Sequence, residues 1–219
     1  MRAKKPRYEY LAAADNVIQA GKPLYDKIKG KWNSQYFGNS NPIILELACG
    51  RGEYTTGLAH LFPDRNYIGV DIKGDRLWKG SLNAIEAGLT NVAFLRTFIL
   101  ELDKFFDHDE VEEIWLTFPD PHPKDKEEKR RLTGKRFIEL YRQVLRPGGW
   151  VRLKTDSSSL LEFTLEELNR RNDIIDLVFT MDLAKSELLG EHYGIATRYE
   201  QIYSDKGVKI KYLKFKFSG

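Results

Sequence analysis

The stretch Ile43-Ile44-Leu45-Glu46-Leu47-Ala48-Cys49-Gly50-Arg51-Gly52 decides the fold. Its first five residues form an apolar run of strand length, and the glycine-rich turn behind it opens a helix from about Glu53 to Leu61. Residues 66–71 read as the next strand, and a strand, turn, helix and strand in that order imply a parallel pair. The alternation continues. Asp75 is placed to cap a helix that ends near Ala87, with Gly88 as its left-handed terminator, and residues 92–96 form the third strand. A short helix or turn over 101–106 precedes a fourth strand at 113–118. Phe137, Leu140, Tyr141, Val144 and Leu145 then recur at helical spacing until Pro147-Gly148-Gly149 stops the helix, and residues 150–154 are the fifth strand. A helix over 157–172, a strand over 174–181 and a loop over 184–197 follow. This order predicts an α/β, doubly wound, mostly parallel sheet with a late antiparallel strand.

The last run, 208–217, alternates apolar residues with Lys209, Lys211, Lys214 and Lys216, but slips by one where Tyr212 and Leu213 sit in succession. Such a slip predicts a bulge or kink, and the lysines read as guards of an exposed face or edge. Residues 1–41 lack clear periodicity apart from a possible helix over 8–20, and read as a basic arm on a domain spanning 42–219.

At 219 residues and 42% hydrophobic content the chain is long enough to bury one sizeable core. Net charge is only +3, but its distribution is uneven. Residues 1–41 carry eight cations against three anions, and residues 124–136 carry seven against three. The only cysteine, Cys49, leaves no internal disulfide and no multi-cysteine zinc site, and the four histidines lack metal-ligand spacing, so no metal is expected. The apolar stretch 11–14 is too short for a signal-peptide core and no run approaches a membrane span, which makes the expected location cytoplasmic.

The fourth strand runs into Phe118-Pro119-Asp120-Pro121-His122-Pro123-Lys124, where alternating prolines can extend neither a sheet ladder nor a helix core. Asp120 is therefore held in a stiff loop at the carboxyl end of a buried strand, where open α/β sheets bind ligands. The first turn narrows the ligand. A dinucleotide fingerprint needs a third glycine where Thr55 stands, and Glu53 at the helix start repels a diphosphate. S-adenosylmethionine carries a sulfonium and an ammonium instead, and acidic residues favour it. Asp71 ends the second strand where a carboxylate can accept both ribose hydroxyls.

Taken together, Leu45-Glu46-Leu47-Ala48-Cys49-Gly50-Arg51-Gly52, Gly69-Val70-Asp71, the Pro119 to Lys124 loop, Lys129-Arg130-Arg131, Lys154-Thr155-Asp156 and Thr197-Arg198-Tyr199-Glu200 resemble the bacterial tRNA (guanine-N7)-methyltransferases, class I methyltransferases with a Rossmann-like fold. The resemblance covers most of the chain from about Gly30. It implies methyl transfer from S-adenosylmethionine to N7 of a guanine in tRNA, in the variable loop. It further implies that Glu46, Gly50, Gly52, Asp71, Phe98 and Asp120 hold the donor, with Asp120 the active-site carboxylate. Lys124, Asp156, Thr197, Arg198, Tyr199 and Glu200 would contact the nucleotide, Lys129, Arg130 and Arg131 its phosphates. The chain departs from the family's pattern at Ala48, where glycine is usual, at Phe98, where an acidic residue usually meets the adenine, and at His122, where an aromatic residue often follows Asp-Pro. The competing readings are a methyltransferase for another RNA base or a small molecule, an RNA-binding homologue that has lost catalysis, and, less favoured, a dinucleotide oxidoreductase.

Overall fold

The computed structural model describes residues 5–218. Helix α1 (Lys5–Ala13) precedes a two-residue strand β1 (Val17–Ile18) and a wide helical turn at Trp32–Phe37. Then come β2 (Ile43–Leu47), α2 (Glu53–Leu61), β3 (Asn66–Val70), α3 (Gly74–Glu86), β4 (Val92–Leu95) and β5 (Val111–Thr117). The chain closes with α4 (Lys135–Val144), β6 (Leu145–Thr155), α5 (Ser158–Asn169), β7 (Ile174–Thr180), α6 (Arg198–Ser204) and β8 (Lys211–Phe217). One eight-stranded sheet runs in the order β1-β4-β3-β2-β5-β6-β8-β7. The first six are mutually parallel, and β8 lies antiparallel between β6 and β7. This is the doubly wound, mostly parallel sheet that the sequence predicts. Among the described residues no helix is long and apolar enough to cross a membrane.

Strict alternation feeds two apolar layers. Leu45, Ile68, Ile114, Leu153 and Leu213 pack on the face covered by α4 and α5, whereas Ile44, Tyr67, Phe94, Trp115 and Tyr212 pack on the face covered by α1, α2 and α3. The apparent slip in the last strand follows from this double burial. Tyr212 and Leu213 serve opposite layers, and the ladder from Trp150↔Lys216 to Thr155↔Lys211 runs without a shift. The irregularity sits instead in β7, between Ile175 and Val178, where Asp176 is left-handed (φ 53°). Since β8 is interior, its lysines do not guard an edge. Lys214 pairs with Glu191 at 2.6 Å, Lys216 with Asp176 at 2.9 Å, and Lys211 donates to the Asp156 carbonyl at 2.8 Å.

The segment expected as an arm is built into the domain. Leu11 packs toward α3, Val17 and Ile18 extend the sheet beside β4, and Ile28 and Trp32 are fully buried, the Trp32 indole donating to the Phe105 carbonyl at 2.9 Å. The helix expected over 8–20 therefore stops at Ala13, because Asn16 and Val17 turn into the ladder. Of the arm's cations, Arg2 and Lys4 lie outside the described residues. Asp75 stands inside the first turn of α3, whose N-cap is Lys73, while Gly88 adopts the expected left-handed conformation (φ 66°).

At the point where strand order reverses, between β2 and β5, Glu46 is 3% exposed and its carboxyl ties three elements together. It accepts from the Thr55 amide at 2.8 Å, from the Thr55 hydroxyl and from the Thr117 hydroxyl. Burial outweighs these donors and pushes the carboxyl from its ordinary 4.5 up to about 7. A carboxyl raised on folding stabilises fully below pH 4.5, and that contribution is lost as pH rises through about 7. Urea unfolding at pH 5 and pH 8 is therefore expected to show the wild type losing up to about 3 kcal/mol relative to Glu46→Gln, which does not titrate. A difference that stays constant with pH would remove the buried charge from the account.

Candidate active site

Two adjacent cavities open where β2 and β5 diverge, which is where a doubly wound sheet leaves a crevice. Ala48, Arg76 and Phe118 line both. The larger, about 630 Å³, is bounded by Asp71, Phe98 and Asp120; the other, about 480 Å³, has Glu46 and Thr117 in its wall, with Thr197, Arg198 and Tyr199 opposite.

The first turn forms by three left-handed residues at alternate positions, Ala48 (φ 56°), Gly50 (φ 57°) and Gly52 (φ 63°). The two glycines do different work. A Cβ on Gly50 would meet nothing within 4 Å, so its backbone is open to a ligand, whereas a Cβ on Gly52 would stand 2.5 Å from the Phe94 ring. Gly52 therefore lets α2 close on the sheet and does not face the cavity. Ala48 takes a conformation that costs an L-residue roughly 1 kcal/mol, in the turn where glycine is usual. Asp71 binds this turn to the end of β3, accepting from the amides of Gly50 at 3.0 Å and Lys73 at 2.8 Å.

Asp120 follows β5 with its side chain 75% exposed. It is flanked by two further left-handed non-glycine residues, Phe118 (φ 49°) and His122 (φ 43°), and the His122 amide donates to Asp120 Oδ1 at 3.4 Å. Phe98, 62% exposed, offers a bare ring at the mouth of the larger cavity. Arg130 reaches the same cavity and pairs with Glu127 at 3.3 Å. Arg131 does not act as a free cation. Its Nε donates to the His122 carbonyl at 3.2 Å and its guanidinium lies 4.4 Å from the Phe163 ring, so it shores up the proline loop from behind. Lys124 and Lys129 are exposed and line neither cavity.

Helix α6 brings in the remaining residues. Thr197 caps it, its hydroxyl accepting from the Glu200 amide at 3.1 Å, and the Glu53 carboxylate accepts from the Arg198 amide at 3.0 Å. The Thr197-x-x-Glu200 spacing was a legible start signal for this helix, which the sequence pattern alone leaves unassigned. Its glutamate does not complete the capping box. The Glu200 side chain turns inward to Lys154, 2.8 Å away and fully buried, which also donates to the Ile195 carbonyl at 3.1 Å. Burial lowers the Lys154 ammonium below its ordinary value, opposed by Glu200. Glu200 is thus an anchor behind the cavity rather than part of its wall. Asp156 lines neither cavity but accepts from the Tyr199 hydroxyl at 3.0 Å, and Ser157, not Asp156, caps α5. Arg51, Arg76 and Arg198 converge here, lining the smaller cavity and pairing with no carboxylate among the described residues; Arg198 is expected at the nucleotide and Arg51 stands in the first turn, whereas Arg76 belongs to no motif and escapes a reading of the sequence.

Residues 40–213 match a family model described as "Putative methyltransferase". A relative from Cytophaga hutchinsonii named tRNA (guanine-N(7)-)-methyltransferase is 54% identical, the match covering 99% of this chain and 98% of the relative. Relatives of the same name are 48% identical in Bacteroides thetaiotaomicron (95% and 79% covered) and 39% identical in Streptococcus thermophilus (86% of each). Among solved structures, the 16S rRNA methyltransferase KamB superimposes with a TM-score of 0.65 at 16% identity over 93% of this chain and 99% of that one. The 16S rRNA (adenine(1408)-N(1))-methyltransferase of Catenulisporales acidiphilia, solved with SAM, gives 0.60 at 14% identity over 92% and 96%. These two likenesses carry the fold, and the three relatives carry the family: the chain belongs to the tRNA (guanine-N(7)-)-methyltransferases.

Proposed function

We propose that this protein transfers a methyl group from S-adenosylmethionine to N7 of a guanine in tRNA, the guanine being that of the variable loop. The observation that carries the reading is the pair of adjacent cavities, one walled by Asp71, Phe98 and Asp120 and the other by arginines and an aromatic residue, at the crevice of a chain from this family.

The residues present fit the donor. Gly50 leaves room for a close approach, Asp71 keeps unshared lone pairs on oxygens that already accept backbone amides, and the exposed Phe98 ring is suited to lie on a purine. Glu46 acts from beneath, through the hydroxyls it holds. When bound, S-adenosylmethionine supplies an electrophilic methyl group on a sulfonium. Guanine N7 has a lone pair and no proton, so no side chain is required as a base, and the protein's task is alignment. Asp120, held by its stiff loop, orients the base and offsets the positive charge that the purine acquires. Tyr199 forms one wall for that base, its hydroxyl held by Asp156 from behind, and Arg51, Arg76 and Arg198 offer guanidinium groups to its phosphates. Arg130 at the larger cavity, with Lys124 and Lys129 beyond it, extends the phosphate track.

Incubation with unmodified tRNA and labelled donor, followed by chemical cleavage at 7-methylguanine, is expected to cut at one variable-loop position; incorporation of label without cleavage would redirect the reaction to another atom. In the same assay Asp120→Ala is expected to lower turnover by about 100-fold or more, with donor affinity measured by calorimetry largely retained; wild-type turnover in that variant would take Asp120 out of the active site. For the combined Lys124→Ala, Lys129→Ala and Arg130→Ala protein, the slope of log affinity against log salt is expected to flatten by about 2 to 3, at roughly 0.7 to 0.9 for each phosphate no longer neutralised. An unaltered slope would assign these cations to solvent.

A further inference from the structure

Helix α6 is built inside out. Its carboxylate at Glu200 is buried against Lys154, while Tyr199 and Ile202 are 43% and 45% exposed. Tyr199, Ile202 and Tyr203 fall three and four residues apart and so share one stripe, the kind of apolar face a helix ordinarily turns to the core. Here Lys154 draws the Glu200 side inward, so that Tyr199 and Ile202 face the cleft and Tyr203 lies beyond it, half-buried. Tyr199 and Ile202 line the smaller cavity. The rings run on from there: Phe118 and Tyr199 have centroids 5.4 Å apart, and Tyr199 and Tyr203 4.4 Å apart with planes inclined by 33°. Arg198 stands exposed at one end of the stripe and the Lys206 ammonium lies 5.1 Å from the Tyr203 ring at the other, with the exposed Asp205 beside it.

A row of rings leading out of a catalytic cleft, with a cation at each end, suits a strand of unpaired nucleotides. Every base has a π face to stack, and its phosphate supplies the anion. One seven-residue helix offers too little area for a specific protein partner. We propose that Ile202 and Tyr203 continue the Tyr199 wall into a stacking platform for an unpaired nucleobase next to the methylated guanine, with Tyr203 as the outer step and Lys206 beside the adjoining phosphate. Holding the neighbouring base on this platform keeps the target out of the RNA stack. The proposal rests on the tRNA reading of the cleft.

The test measures binding of unmodified tRNA by fluorescence anisotropy, without donor, for Tyr203→Ala, Tyr203→Leu and Tyr203→Phe, with thermal midpoints as a check on folding. Loss of one stacked base weakens binding by roughly 5- to 100-fold, so Tyr203→Ala and Tyr203→Leu are expected to fall in that range and Tyr203→Phe to recover most of it. The salt dependence of Tyr203→Ala should keep the wild-type slope, because stacking releases no counterions. Unchanged affinity in Tyr203→Ala, or equal recovery by Tyr203→Leu and Tyr203→Phe, overturns the platform, the latter because any apolar packing would then suffice. The two readings separate cleanly: if Tyr203→Ala weakens RNA binding while the wild type forms no 7-methylguanine, the platform stands and the assignment of the reaction falls.

Discussion

Everything at the site depends on how the crevice between β2 and β5 is held open and yet held together. Parallel strands whose connections depart to opposite faces leave a gap at their carboxyl ends that no backbone ladder can bridge. Glu46 bridges it with one side chain, taking donors from α2 and from β5. A carboxyl buried at that point is neutralised more easily than an exposed one, and its hydrogen-bond partners fix the start of α2, the end of β5 and hence the origin of the proline loop. The two cavities lie on either side of the ridge formed by Ala48 and Phe118.

A second constraint comes from β6, whose Arg152 and Lys154 point to the same buried face. Arg152 meets Glu113 at 3.2 Å and also Glu191, and Lys154 meets Glu200. Ion pairs at this depth contribute little net stability, because desolvation offsets the attraction, but they discriminate strongly among arrangements. Leaving either cation unpaired would be costly, so residues 187–200 can cover the sheet in few ways. The covering chain thereby acquires one registry, and α6 is presented to the cleft with its aromatic side outward.

Much of this was legible in the sequence. The bounds of β2 and α2 follow from an apolar run and a glycine turn, because local pattern and tertiary burial agree there. Strand β1 was not legible: two residues carry no period, and its membership depends wholly on β4. The lysines of β8 misled for a related reason. Alternation with a charged residue signals a solvated face unless distant carboxylates arrive to pair with it, and Glu191 and Asp176 do so from elsewhere in the chain. At the site, the family resemblance pointed to Asp71, Phe98 and Asp120 together, and all three border one cavity. It could not separate Gly50 from Gly52, or Arg130 from Arg131, because each pair differs only in what the side-chain position meets in three dimensions.

The proline loop has a consequence for the timing of catalysis. Pro119, Pro121 and Pro123 narrow the conformers of the unfolded chain, and the native contacts around Phe118, His122 and Arg131 select one of those remaining. The entropic cost of immobilising Asp120 is therefore met once, when the polypeptide folds, and does not recur with each turnover. In the role proposed for Asp120, a nucleotide arriving at this edge encounters an acid already in place, and no part of the arriving molecule's binding energy goes into assembling it.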